Sequence, residues 1–268
     1  ANPSNSTPTV TTADELLTAL ESADKDLTTL ESDLVYTKTP NELVGGSAQV
    51  RKGKLWFFAR PVSTPADAPA GTPPPPPSPP SPQTKLFQIE FITLEMDNAR
   101  RDDRQVWIFD GTWLVEKNFE TRLVHRRLVV KPGEKADPLA IGEGPLPIPI
   151  GQKREKIVQR FDATLPAPTE GAPEQAHTLL ADTYQLHLKP KRGTQEARDF
   201  QEVRIWYRKS DLLPRLARAT HKDGSVTEIL LSSMSVNRDL SETVFDTRTP
   251  PGWNEQVDNF RQAQGADE

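Results

Sequence analysis

Four histidines, His125, His177, His187 and His221, are the residues best suited to ligate a metal or shuttle a proton, and their scatter argues against both roles. A metalloprotease-type site sets two histidines in H-E-x-x-H so that both lie on one helix face, and no pair in this chain has that spacing. His187 falls in Gln185-Leu186-His187-Leu188, at the polar position of an alternating strand, and reads as a solvated strand residue. No G-x-S-x-G string is present to expose a nucleophilic serine. Gly53-Lys54 approaches a phosphate loop, but Ala48 stands where its first glycine belongs and Leu55 where its Ser/Thr belongs. Asp102-Asp103, inside Asn98–Arg104, reads as a solvated charged turn rather than a catalytic carboxylate pair. With no cysteine, thiol nucleophiles, zinc fingers, iron–sulfur clusters and disulfide frameworks are excluded. The chain is expected to be no enzyme and to use no cofactor or metal.

The residues that stand out are aromatic. Trp56, Phe57, Phe58, Phe87, Phe91, Trp107, Phe109, Trp113, Tyr184, Trp206 and Tyr207 all fall in predicted strands. A sheet with one wet face needs apolar residues on one parity only. In Leu55-Trp56-Phe57-Phe58 both parities are apolar, so both faces of the sheet should be covered. Two readings follow: an ordinary core on both sides, or an apolar pocket inside a curved sheet, suited to an acyl chain.

The elements that must position these residues begin with a helix. Thr12-Ala13-Asp14-Glu15 has the form of a capping box, and Leu16, Leu17, Leu20, Leu27, Leu30 and Leu34 follow at helical spacing, predicting an amphipathic helix over about 13–33. Thereafter the apolar period shortens to two residues. Strands are predicted at 50–60 and 87–94, and Asp110-Gly111 between Val106–Phe109 and Trp113–Val115 marks a hairpin. A strand at 123–130, a short helix near 153–161, and four strands around 184–188, 203–207, 212–219 and 226–231 complete the pattern. The fold class expected from this pattern is α+β: a strongly curved antiparallel sheet or open barrel with helices at one side.

Composition sets the limits of this domain. Of 268 residues, 26 are proline, roughly twice the usual ~5%, and 11 of them lie in the 22 residues 61–82. Proline cannot donate to a strand ladder, so this stretch reads as an extended, solvated loop between two strands. The domain organisation expected is a polar tail over 1–11, a single domain over 12–254 with the proline-rich insertion at 61–84, and a polar tail over 255–268. A net charge of −5 without a Lys/Arg block argues against nucleic acid as partner, and no apolar run approaches the ~20 residues that span a bilayer. The polar start Ala1–Pro8 reads like the linker left after removal of a signal peptide, which makes the expected location periplasmic or otherwise exported.

The order of elements and several local strings resemble the bacterial periplasmic lipoprotein-carrier family, the LolA-like proteins with their outer-membrane receptor relatives and related sensor domains. Gly53-Lys54-Leu55-Trp56-Phe57-Phe58-Ala59-Arg60-Pro61 is similar to that family's G-x-L-x-x-x-R-P strand. Trp107-Ile108-Phe109-Asp110-Gly111-Thr112-Trp113-Leu114 resembles its D-G hairpin, and Tyr184–Pro190 its L-x-P-K strand. Asp223-Gly224-Ser225-Val226-Thr227 and Phe245 with Pro250-Pro251-Gly252 match its late hairpin and closing strings, so the likeness runs from about 13 to 254. The resemblance implies an unclosed barrel whose cavity accepts the acyl chains of a lipoprotein. It further implies a monomer that receives cargo from an inner-membrane release machine, shields it as a chaperone, and passes it to an outer-membrane acceptor.

In that family the arginine of the R-P strand faces inward and holds a helical lid, a role that falls here on Arg60; the alternative reading of Arg60 is a charged residue ending a strand. Trp56 and Phe58 share its parity and, with Phe91, Trp107, Phe109 and Trp113, are the expected cavity lining. The lid region would correspond to Gly142–Ile150. Two other functions stay open: a module of the same fold that recognises an envelope protein or polymer, and an interaction protein working through P-x-x-P spacings at 73–80.

Overall fold

The computed structural model describes residues 10–23, 26–41, 43–61, 83–129, 150 and 153–258. The proline-rich stretch 62–82, most of the expected lid region and the outer parts of both tails lie outside these residues.

The first helix, α1, spans Ala13–Ala23 and is capped as its sequence indicates: Glu15 N donates to Thr12 Oγ1 at 3.2 Å, and Thr12 N donates to Glu15 Oε2 at 3.1 Å. These bonds, with those from Thr11, hold the Glu15 carboxyl below the usual range. The helix ends far short of residue 33, because Thr29–Thr39 is a strand, β1. Leu30 and Leu34 are four apart, a spacing that puts them on one face of a helix and equally on one face of a strand. The β-branched and aromatic run Val35-Tyr36-Thr37 decides for the strand, as does pairing on both sides with long neighbours.

The remaining strands are β2 Gln49–Pro61, β3 Gln83–Met96, β4 Ala99–Phe109, β5 Trp113–Asn118 and β6 Leu123–Leu128. Helix α2, Arg154–Arg160, leads into β7 Phe161–Thr164, followed by β8 Thr183–Pro190, β9 Phe200–Arg208, β10 Pro214–His221, β11 Val226–Val236 and β12 Asn254–Asp258. All twelve form one sheet in the order β12-β6-β5-β4-β3-β2-β1-β11-β10-β9-β8-β7. It is a large curved sheet, and it does not close: β7 and β12 are its edges. Every pair is antiparallel except β12–β6, which is parallel. Thus Glu255–Asp258, at the start of the expected polar tail, continue the sheet.

The charged turn expected at 98–104 is shorter than the sequence indicates. Asp97-Asn98 alone makes it, with φ of 54° and 59°, and β4 begins at Ala99. Asp103 is buried at 3% exposure and paired with Arg51 on β2, because β4 keeps pairing with β3 through the charged residues.

Alternation assigns the sheet two faces, and both are covered. On one, Leu16, Leu17 and Leu20 of α1 and Ile157 of α2 pack on Leu186, Leu188, Val203, Ile205 and Tyr207. The same face continues across β11, β1, β2, β3 and β4 as Ile229, Leu34, Phe57, Phe87 and Phe109. The opposite face carries two separate clusters. Trp206 and Leu216 lie under Leu180, with Trp206 Nε1 donating to the Pro168 carbonyl at 2.7 Å. Leu86, Val106, Ile108, Val115 and Val124 lie under Phe245 of the 238–253 segment.

Candidate functional site

The aromatic residues divide between these faces. Phe57, Phe87, Phe91 and Phe109 stand side by side on β2, β3 and β4, each at 2% exposure or less, on the face that α1 and α2 share. Phe57 pairs with Phe87 and Phe87 with Phe109, so three rings occupy adjoining ladder positions. Phe87 and Phe109 stack at 5.8 Å; Phe91 meets Trp107 edge-on at 5.2 Å, and Tyr36 of β1 adds a ring 5.8 Å from Phe91. Burial raises the Tyr36 hydroxyl above its ordinary pKa. The Arg51 guanidinium lies 6.0 Å from the Phe91 ring and is held by Asp103.

The close pairing of β2 with β3 depends on Gly53. At the register shift after Lys52, a Cβ on Gly53 would overlap the carbonyl oxygen of Glu90. Any side chain here would push the two aromatic strands apart.

Of the six residues expected to line a cavity, Phe91, Trp107 and Phe109 lie on this helix-side face. Trp56, Phe58 and Trp113 lie on the other, half-buried under the 238–253 segment, where Phe58 stacks on Phe245 at 6.3 Å. The sequence reading therefore grouped residues from two faces. Parity does hold within β2, since Trp56 and Phe58 share a side, but it could not say which parity meets the helices. Phe57, Phe87 and Tyr36, absent from the expected lining, belong with Phe91; their cross-strand register is the signal, and register is set by tertiary pairing. The Arg60 backbone is in β2 opposite Thr84; its side chain, and the lid role proposed for it, lie outside the described residues. Of the expected lid region only Ile150 is described, and it is buried at 2% exposure in the helix-side aromatic cluster.

His187 is buried at 8% exposure rather than solvated. Its Nε2 lies 2.8 Å from Glu202 Oε2, and its pKa is lowered by burial and by nearby Arg204. Arg204 in turn donates to the Glu170 carbonyl, and Gln185 Nε2 to the same oxygen at 2.8 Å, so this polar network ties the 165–176 segment to β8 and β9. Among the described residues no group of His, Asp and Glu is placed to hold a metal, and no described helix is long and apolar enough to cross a membrane.

Phe57, Phe87, Phe91 and Phe109 are each at 2% exposure or less, so among the described residues no solvent-sized opening adjoins their rings. The cleft beside the end of α1, lined by Leu27, Leu212, Leu213 and Met234 among others, holds about 260 Å³. That is below the ~300–1,000 Å³ usual for ligand pockets.

No family model and no curated protein matches this sequence. Among solved structures, the chain is similar to a LolA superfamily protein from Nitrosomonas europaea, at 12% identity and a TM-score of 0.35, over 88% of this chain and 98% of the other. It is similar to LprF from Mycobacterium bovis, at 12% identity and a TM-score of 0.38, over 86% and 96%. A third likeness is to the Pseudomonas aeruginosa MucA/MucB complex, at 13% identity and a TM-score of 0.40, over 87% of this chain and 60% of that one.

Proposed function

We propose that the protein is an exported carrier that shields the acyl chains of a lipid or lipoprotein and hands them to a membrane acceptor. The observation that supports this reading best is the run of large aromatic rings on the helix-side face, from Tyr36 through Phe57, Phe87 and Phe91 to Phe109, on a sheet left open at its edges. In the described conformation these rings contact one another, so the cargo enters by separating the cover from the sheet. Burying a 16-carbon chain at about 0.8 kcal/mol per methylene supplies roughly 12 kcal/mol for that opening. Release into water would be correspondingly slow, so cargo passes directly to a partner with an equally apolar cavity. The proposal is tested by native mass spectrometry of the protein purified from its own envelope. A co-purifying acyl species supports it; a bare chain that also fails to bind a fluorescent fatty acid overturns it.

A second reading, a module that recognises an envelope protein, is favoured by one observation. Leu43 and Val44, at the tip between β1 and β2, are 94% and 82% exposed. Covering both side chains with a partner would remove apolar surface from water, which favours association. A photo-crosslinker at position 43 that captured one protein partner in the envelope, in the absence of acyl cargo, would favour this reading over the first.

A further inference from the structure

Arg215 is the extra residue of a β-bulge. Pro214 pairs with Tyr207 and Leu216 with Trp206, so two steps on β10 match one on β9 and Arg215 has no β9 partner. Bulges of this kind re-aim a side chain and are frequent beside functional sites. The position is apolar: Leu213 at 9% exposure and Leu216 at 7% flank it, and Pro214 is buried. It also lies where the two helix-side clusters meet, with Leu213 in the cluster of β1–β5 and Ala217 in the cluster of α1 and α2.

Arg215 Nε is buried and has no hydrogen-bond partner. Other partly buried arginines are answered: Arg51 by Asp103, Arg126 by Glu255, Arg204 by Glu202 and Arg160 by Glu196. A buried N–H left unpaired costs stability, and a guanidinium is charged at any physiological pH. The Nε–H edge, together with one terminal nitrogen, matches both oxygens of a carboxylate or phosphate. The residue as a whole is half-buried while Nε is shut from solvent, so a ligand meets that edge once the cover has separated from the sheet.

We propose that Arg215 is the anchor for the anionic head of an amphiphile, a carboxylate or a phosphate oxygen pair, whose apolar part packs on the helix-side face. This rests on the acyl-binding reading and names the head group chemistry that reading leaves open. Charge-assisted hydrogen bonds of this type contribute about 10- to 100-fold in affinity.

The test is fluorescence displacement by laurate, its uncharged methyl ester, and acetate, on the wild type, Arg215→Gln and Arg215→Lys, with thermal melts confirming the fold of each. The wild type should bind laurate about 10- to 100-fold more tightly than the ester. R215Q should lose that preference while binding the ester as before, and R215K, which keeps the charge without the two-pronged edge, should retain part of it. If R215Q fails to fold, R215K decides: laurate affinity equal to wild type overturns the anchor. Equal binding of laurate and ester by the wild type overturns the anchor and leaves the carrier reading standing. Acetate binding as tight as laurate overturns the amphiphile in favour of a free-anion site. Binding of none of the three overturns both readings.

Discussion

Lys117 Nζ donates to the carbonyl oxygen of Asp246 at 2.6 Å, joining the C-terminal end of β5 to the segment that covers Trp56, Phe58 and Trp113. Arg126 Nη2 makes a parallel bond to the Thr247 carbonyl at 2.9 Å. Burial lowers the Lys117 pKa, and the pull of Asp246 opposes that shift. The cover of this face is thus pinned through its backbone carbonyls by two cations from the sheet.

Lys117→Met keeps the aliphatic stem and removes the donor, leaving the Asp246 carbonyl unanswered. The expected cost is about 1–3 kcal/mol, read by urea denaturation. The variant should also expose Trp113 and Trp56 to a soluble quencher. An unchanged midpoint with unchanged quenching would show that the pin carries no weight.

Phe91 and Trp56 stand on opposite faces, at 0% exposure and half-buried respectively. Phe91→Ala should destabilise by about 3–5 kcal/mol through the cavity left among Tyr36, Trp107 and Phe109. The milder Phe91→Leu should fold and weaken fatty-acid binding, whereas Trp56→Leu should leave binding near wild type. Equal losses in a displacement assay would remove the distinction between the faces.

Gly53→Ala places a methyl group against the Glu90 carbonyl. Because that neighbour is backbone in the middle of the sheet, it cannot swing aside. A loss of roughly 2–4 kcal/mol is expected, among the larger effects of single substitutions, measured as a drop in melting temperature.

His187 and His221 both sit below the ordinary imidazole pKa, chiefly because burial disfavours the charged ring; Arg204 adds to this for His187. Each binds fewer protons folded than unfolded between its lowered value and about 6.5, so stability should be full above about pH 6.5 and decline as pH falls through that window. Denaturation between about pH 7 and pH 5 stays above most carboxylate titrations. His187→Gln should flatten the slope; a slope equal to that of the wild type would assign the proton uptake elsewhere.

The strands at 50–60 and 87–94, the Asp110-Gly111 hairpin and the Thr12–Glu15 cap were legible because each rests on local chemistry: period-two apolarity, a turn dipeptide, a reciprocal hydrogen bond. Leu30 and Leu34 fit a helix as well as a strand because a four-residue spacing satisfies both periods, and only pairing with β2 and β11 separates the two. The burial of Asp103 and His187 is not legible in sequence, since polar residues in a charged or alternating string look alike whether or not a partner strand supplies a counter-charge.

Strands rich in aromatic residues on both parities require cover on both faces, and that requirement is written into the order of residues alone. Which rings share a face is settled by long-range strand pairing. Alternation fixes which side chains stand together within one strand, but the register between strands, and the choice of which face receives α1 and which receives Phe245, come from contacts between residues far apart in the chain. Phe57 and Trp56 are neighbours in sequence with the same apolar character; what separates them is the long-range packing of helix and strap on opposite sides of one sheet.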